Sequence, residues 1–382
     1  MKEISEIIRA YDIAKRDHKR LALATLVHLR GSSYRRPGAR MIVDESGQLT
    51  GAISGGCLEG DALRKAVYCI HRQKPQLVTY DTSDEDDATI GVQLGCSGVI
   101  QVLFEPIVEQ DPLNPIELLK KAIRCRQNAV LVTLFSPKEQ SHLSEGTTML
   151  LEESGAFTQN NSSEKIPEEL FRNIQKALRE KKSSFKAIFF QDVPFQAFIS
   201  YVAPPISLII AGAGMDAIPL QAIAETLGWQ VTLVDGRHTH AKAERFPAAC
   251  QIIVSKPERV LEQIHIDEQT AFVLMTHNYQ YDYALLKILV GKNVSYIGAL
   301  GPKKKLDRMI QDLQEEGIYL NQDQKNILYG PVGLELGAET PPEIALSISA
   351  EILSVFNHKK GGFLRELPTE IHPRFFTDPE PL

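Results

Sequence analysis

Apolar side chains at Leu58, Ala62, Leu63, Ala66, Val67 and Ile70 fall three and four residues apart, the spacing of a helix that buries one face. The chain before them reads differently. An opening amphipathic helix (Ile4, Ile7, Ile8, Tyr11) leads into a largely apolar strand over 21–29. A short strand over 41–43, a Glu45-Ser46-Gly47 turn and a returning strand over 49–54 follow. Another strand is predicted over 99–104. Between 115 and 203 the pattern predicts a small α/β region, with helices over 116–126 and 167–179 and strands over 130–135, 147–151, 187–191 and 195–202. The polar run Thr158-Gln159-Asn160-Asn161-Ser162-Ser163 reads as an exposed loop.

After Ala203-Pro204-Pro205 the alternation becomes regular. Short apolar strands are predicted over 207–211, 231–234, 251–254, 272–275, 294–297 and 327–329. Helices are predicted over 218–227, 281–289, 304–313 and 342–356. Strands separated by helices in this way form a parallel sheet with helices on both faces. The expected class is therefore α/β: an N-terminal α/β domain over 1–110, an intermediate α/β region over 111–205, and a C-terminal Rossmann-like doubly wound parallel sheet over 206–356. A tail, 357–382, rich in Pro, Gly and charge, is expected to lie on a surface.

Composition narrows the function classes. Of 382 residues 43% are hydrophobic and 24% charged, ordinary for a globular chain. A net charge of −6 gives no general electrostatic reason to expect nucleic acid or an anionic membrane as partner. No apolar run approaches the roughly 18 residues of a membrane span, and the start Met1-Lys2-Glu3-Ile4-Ser5-Glu6 lacks the apolar core of a secretory signal. The five cysteines (Cys57, Cys69, Cys96, Cys125, Cys250) form no Cys-x-x-Cys pair, so the expectation is a cytoplasmic protein with reduced thiols. A homodimer is the default for a soluble oligomer.

Two of those cysteines sit among glycines. Ser54-Gly55-Gly56-Cys57-Leu58-Glu59 opens the helix described above, and Gly95-Cys96-Ser97-Gly98 precedes the 99–104 strand. A thiol at a helix start lies among unpaired N–H groups and the positive end of the dipole, which favours thiolate. Glycine lets a bulky ligand approach the main chain closely. The alternative is that both cysteines are small buried hydrophobes.

These segments carry a family resemblance. Gly31-Ser32-Ser33-Tyr34-Arg35-Arg36-Pro37-Gly38-Ala39-Arg40-Met41, the Cys57 turn, and the Cys96 turn ending in Phe104-Glu105-Pro106 closely resemble the N-terminal domain of the XdhC/CoxI family. At the second site the family has Cys-Gly-Gly where this chain has Cys96-Ser97-Gly98. The resemblance implies a protein that binds the molybdenum cofactor, meets the cysteine desulfurase that adds its sulfido ligand, and delivers it to a xanthine dehydrogenase-type molybdenum hydroxylase. It implies Gly55, Gly56, Cys57, Glu59, Gly95, Cys96 and Gly98 around the cofactor, with Cys57 and Cys96 as candidate soft ligands for the metal.

The C-terminal half carries its own fingerprint. The strand over 207–211 runs into Gly212-Ala213-Gly214-Met215-Asp216-Ala217, which fits G-x-G-x-x-(G/A) opening a helix, and the next strand ends in Asp235. Gly212 and Gly214 would admit a phosphate, and Asp235 would take a ribose hydroxyl, favouring NAD over NADP unless Arg237 relieves the repulsion. The same turn would equally hold the pterin's terminal phosphate, or nothing, since fold does not dictate function. Thr276-His277 ends another strand at the carboxyl edge, where His277 would carry a proton or donate to a ligand. The alternatives to a cofactor carrier are an NAD-dependent oxidoreductase using Gly212, Gly214, Asp235 and His277, or a component of the dehydrogenase itself. Lys303-Lys304-Lys305 reads as solvated surface or a phosphate site, and Asp84-Glu85-Asp86-Asp87 as an exposed loop.

Overall fold

A computed structural model describes residues 2–81, 98–124, 126–136, 145–160, 166–190, 193–246 and 251–368. Two compact units divide the chain, one built on residues 3–204 and one on residues 205–371. The first unit thus holds both the 1–110 stretch and the 111–205 stretch.

The first unit contains two five-stranded antiparallel sheets. Helix α1 (Lys2–Arg16) leads to β1 (Leu21–Gly31), β2 (Arg40–Asp44) and β3 (Leu49–Gly51). Helix α2 (Glu59–Arg72), β4 (Gln76–Asp81) and β5 (Gly98–Ile107) complete the first sheet, in the order β3-β2-β1-β5-β4. The apolar run of β1 does not alternate because the strand is covered on both faces. Ala22, Ala24 and Leu26 join Ala62, Ala66, Cys69 and Ile70 of α2 in one core. Val27, with Leu103, meets Phe135, Phe185 and Phe198 of the second sheet in another.

The second sheet comprises β6 (Ala129–Phe135), β7 (Gly146–Glu152), β8 (Phe157–Gln159), β9 (Ser184–Phe190) and β10 (Val193–Val202), ordered β8-β7-β6-β10-β9, with helices α3 (Pro115–Arg124) and α4 (Glu168–Glu180). Leu170, Ile174 and Ala177 line the buried face of α4 against this sheet. Phe157–Gln159 is a strand, so the polar run expected as a loop begins inside β8.

The second unit is the doubly wound sheet. Strands β11 (Ser207–Ala211), β12 (Gln230–Asp235), β13 (Gln251–Val254), β14 (Thr270–Leu274), β15 (Tyr296–Ala299) and β16 (Leu328–Tyr329) are all parallel, in the order β13-β12-β11-β14-β15-β16. Although β11 is apolar throughout, its residues divide by the period of two. Leu208 and Ile210 enter the core that also holds Ala217, Leu220 and Ala224 of α5 (Ala217–Thr226) and Ala345, Ile348 and Ile352 of α9 (Pro341–Phe356). Ile209 enters the opposite core, formed with α6 (Tyr279–Leu289) and α7 (Lys303–Glu315). The strand order reverses between β11 and β14, which places the ligand crevice of such a sheet outside their carboxyl ends. A short helix, α8 (Gln322–Asn326), opened by an Asn321–Gln324 capping box, escaped the sequence pattern because it buries no residue. Among the described residues, no helix is long and apolar enough to cross a membrane.

Candidate functional site

In the first unit the Cys57 turn is built by its neighbours. Strand β3 stops at Gly51, short of the expected Ser54. Gly51 adopts φ +87°, and a Cβ there would lie 2.4 Å from the Arg40 carbonyl oxygen, so the backbones touch and the chain turns away. Ser54, buried, then clamps the residues after it. Its hydroxyl accepts from Gly56 N (3.3 Å) and Leu58 N (3.1 Å) and donates to the Glu59 carboxylate, which also accepts from Ser54 N at 2.8 Å. Burial works to raise the Glu59 pKa, but these donors outweigh it and hold the carboxyl below its usual range. Glu59 is the first residue of α2, and Leu58 caps the helix without a side-chain bond. Cys57 therefore lies just outside the helix start, half-buried, with a free thiol, and Leu58 inserts into the core behind it.

Gly55 and Gly56 are exposed. A Cβ on Gly55 would meet the Tyr34 ring at 3.2 Å, whereas one on Gly56, at φ +106°, would meet nothing within 4 Å. Gly98 opens β5 opposite Gly31, and a Cβ there would stand 2.4 Å from the Ser32 carbonyl oxygen. The Cys57 turn and the start of β5 thus both abut the 32–34 segment. Gly95, Cys96 and the acidic run 84–87 lie outside the described residues, as do Cys125 and Cys250.

Cys69 has a different environment. It lies in the last turn of α2, 1% exposed, and burial together with the Glu105 carboxylate pushes its thiol up to about 12. Glu105 itself is buried between the two sheets, accepting from Thr147 N and Oγ1. Burial lifts its carboxyl to about 7, against the Thr147 donors and the charge of buried Arg40. A cleft of about 310 Å³ between α1 and the β1–β3 strands, lined by Glu6, Arg9, Ile13, Ile42, Asp44 and others, contains none of the expected site residues. No cluster of three or more metal-ligating side chains occurs among the described residues.

In the second unit, Gly212, Gly214 and His277 come together at the β11–β14 crevice. A Cβ on Gly212 (φ +131°) would stand 2.4 Å from the Met275 carbonyl oxygen, so this glycine serves the approach of two strands. Gly214 faces the imidazole, with His277 Nε2 3.8 Å from the position of a Cβ. His277 holds the left-handed conformation (φ +58°), unusual for a residue with a side chain. It reaches Asp216 at 3.2 Å across the opening of α5.

Asp235 is 2% exposed and fully engaged. Its carboxylate accepts from Ala213 N (2.8 Å), from Arg237 N (2.8 Å), and from the Arg237 guanidinium at 2.9 and 2.8 Å. Burial would raise its pKa, and these donors instead hold it below the usual range. The Tyr281 ring lies against Gly236 and its hydroxyl donates to the Ser255 carbonyl at 2.7 Å, filling the space beyond Asp235.

Lys305 is not the solvated lysine its triple suggested. It donates to fully buried Asp282 (2.7 Å) and to the Leu300 carbonyl (2.8 Å), while Thr276 Oγ1 donates to the other Asp282 oxygen at 2.6 Å. Sequence reasoning missed this pair and the Ser54–Glu59 clamp. The only signal for the clamp was a Ser and a Glu bracketing Gly-Gly-Cys, five residues apart rather than the three of a capping box.

The fold and strand order define the second unit as a Rossmann domain, and the first as an α/β unit that presents a thiol on a glycine turn. Comparison with known proteins makes this specific. A family model described as the XdhC Rossmann domain matches residues 208–352, and one described as the XdhC and CoxI family matches residues 14–81. A Bacillus subtilis (strain 168) protein named as a probable xanthine dehydrogenase subunit is 31% identical over 342 residues, covering 90% of this chain and 95% of that protein. The molybdenum cofactor insertion chaperone PaoD of Escherichia coli (strain K12) is 23% identical over 342 residues, 90% of this chain and 85% of that one. A solved structure described as a xanthine dehydrogenase from Bacillus halodurans superposes with a TM-score of 0.73 at 30% identity, covering 94% of this chain and 98% of that chain. The chain belongs to the XdhC and CoxI family.

Proposed function

We propose that this protein binds the molybdenum cofactor and hands it to a xanthine dehydrogenase-type molybdenum hydroxylase, with the Cys57 thiol as a ligand or guide for the metal centre. The observation that carries the reading is the Cys57 turn: a free, half-buried thiol held outside a helix start by the Ser54–Glu59 clamp, beside a glycine with open space over it. Molybdenum in this cofactor is held by sulfur, and a soft thiolate suits it. The insertion chaperone among the relatives supports the same chemistry. Cys96 would supply the second sulfur. The partners in this reading are the apo-subunit of the hydroxylase and a cysteine desulfurase, and the protein acts as a cytoplasmic homodimer.

The Rossmann unit gives the oxidoreductase alternative little support. A ribose hydroxyl needs a free acceptor, and the Asp235 oxygens already take four donors from Ala213 and Arg237. The name of the Bacillus subtilis relative favours a second reading, a lasting component of the dehydrogenase. Anaerobic titration with molybdenum cofactor and with NAD, on the wild type, Cys57→Ser and Asp235→Asn, tests the proposal. The expected result is tight cofactor binding that Cys57→Ser weakens and Asp235→Asn does not. Tight NAD binding with no cofactor binding would overturn it. Co-elution with the mature hydroxylase through gel filtration would favour the component reading.

A further inference from the structure

Tyr34 is 71% exposed, although the segment that carries it leaves β1 at Gly31, which pairs with Gly98, and is tied down again just beyond the ring. Arg35 pairs with Glu3, and Gly38 N donates to the Leu26 carbonyl at 2.8 Å. The ring is not loose in solvent. Its Cγ and Cδ1 atoms lie 3.2 Å, and Cδ2 3.6 Å, from the point where a Gly55 Cβ would stand, so the ring lies close over the glycine and would have to shift by a few tenths of an ångström for any other residue at 55. A large aromatic held in place, supported on one side by backbone and left open on the other, offers a π-face to a ligand. The next residue, Gly56, has φ +106° and open space over its Cα, and Cys57 follows. Two virtual bonds of about 3.8 Å put the Cα atoms of Gly55 and Cys57 at most about 7.6 Å apart. An aromatic platform and a soft thiol thus lie within the span of one small ligand.

We propose that Tyr34 is the stacking platform for the planar pyrimidine ring of the cofactor's pterin, with the open strip over Gly56 leading to the thiol at Cys57. The assignment rests on the cofactor reading above and makes that site recognise two different ends of one ligand. Sulfur meets the metal end, and the π-face meets the heterocycle. Stacking of a heterocycle on an aromatic side chain requires only a π-face, so a phenylalanine suffices and an aliphatic residue does not.

The test uses the full-length protein with two probes, metal-free neopterin followed by its fluorescence and the intact molybdenum cofactor titrated anaerobically. The variants are Tyr34→Phe, Tyr34→Leu and Cys57→Ser. Thermal melts control for folding, which the exposure of Tyr34 predicts to be unchanged. Tyr34→Leu should weaken both probes by roughly 5- to 100-fold, and Tyr34→Phe should bind both within about twofold of wild type. Cys57→Ser should leave neopterin binding unchanged and weaken the intact cofactor. Neopterin too weak to detect, with Tyr34→Leu still weakening the intact cofactor, also supports the platform. Cofactor binding that is equally tight in Tyr34→Leu and wild type overturns the platform but leaves the cofactor reading standing. A wild type that binds neither probe overturns both.

Discussion

Ser54→Ala is the most informative single change in the first unit, because one hydroxyl organises the whole Cys57 turn. It accepts from Gly56 N and Leu58 N and donates to Glu59. Gly56 is exposed, and water replaces its lost partner. Leu58 is 1% exposed, so its N–H cannot turn to water and falls back on the Glu59 carboxylate alone, at a cost of about 1 kcal/mol. Loss of the bond to an ionised acceptor adds about 1–2 kcal/mol, trimmed because Glu59 is only half-buried and keeps its bond from Ser54 N. These share partners and do not simply add, so the expected destabilisation is about 2 kcal/mol in urea unfolding. Iodoacetamide labelling of Cys57 under native conditions should accelerate several-fold as the turn opens, while Cys69 stays protected. Acid sensitivity should change too. Glu59 has a folded pKa below its ordinary 4.5, so its contribution is complete above that value and is lost as pH falls through the depressed pKa. Removing the Ser54 donor narrows that window. Glu59→Gln, and the double variant with Ser54→Ala, complete a cycle in which the two changes should be less than additive. A Ser54→Ala protein with wild-type stability and wild-type Cys57 labelling would refute the clamp.

Glu105 gives a pH prediction of opposite sign. Its carboxyl is raised to about 7 in the folded chain from an ordinary 4.5, so the folded state holds the proton more tightly and stability falls as pH rises across that interval, by about 3 kcal/mol. Urea titrations across the window should show that decline, and Glu105→Gln should flatten it; an unchanged slope would refute the assignment. In the Rossmann unit, Gly212→Ala places a Cβ 2.4 Å from the Met275 carbonyl oxygen at φ +131° and should cost about 3 kcal/mol or more. Gly214→Ala meets His277 only at ordinary contact distances and should stay within about 1 kcal/mol, measured in the same unfolding assay.

The sequence carried the second unit almost whole because its strands are short, apolar and separated by helices of clear period. Strand β11 occupies the expected 207–211, and α9, expected over 342–356, begins at Pro341 behind Thr340, whose N–H donates to the Glu343 carboxylate at 2.9 Å. Boundaries slipped where apolar residues continue past a strand. The 294–297 strand lies at Tyr296–Ala299, since Gly298 and Ala299 extend the ladder, while Val294 enters the core from the loop before the strand. The family, too, was legible in ordered motifs, and the comparisons bear it out. Partnerships between distant residues were not. Nothing near Asp235 in sequence shows that Ala213 N would take one of its oxygens, and nothing in Lys303-Lys304-Lys305 says which lysine turns inward to Asp282. The Ser54–Glu59 clamp is local but follows no recurrent spacing, and it emerges only once Gly51 has turned the chain.

The central claim is that the Cys57 turn holds the molybdenum cofactor for transfer. Its most direct test is reconstitution: wild-type protein loaded anaerobically with cofactor is mixed with the cofactor-free form of a xanthine dehydrogenase-type hydroxylase, and molybdenum transferred is measured beside Cys57→Ser and Tyr34→Leu proteins carried through the same loading. The account predicts molybdenum transfer and enzyme activation from wild type, and at least about tenfold less from Cys57→Ser, the affinity change expected when about 1.4 kcal/mol of metal–ligand interaction is lost. Equal transfer from wild type and Cys57→Ser, or none from a wild type shown to carry the cofactor, would contradict it.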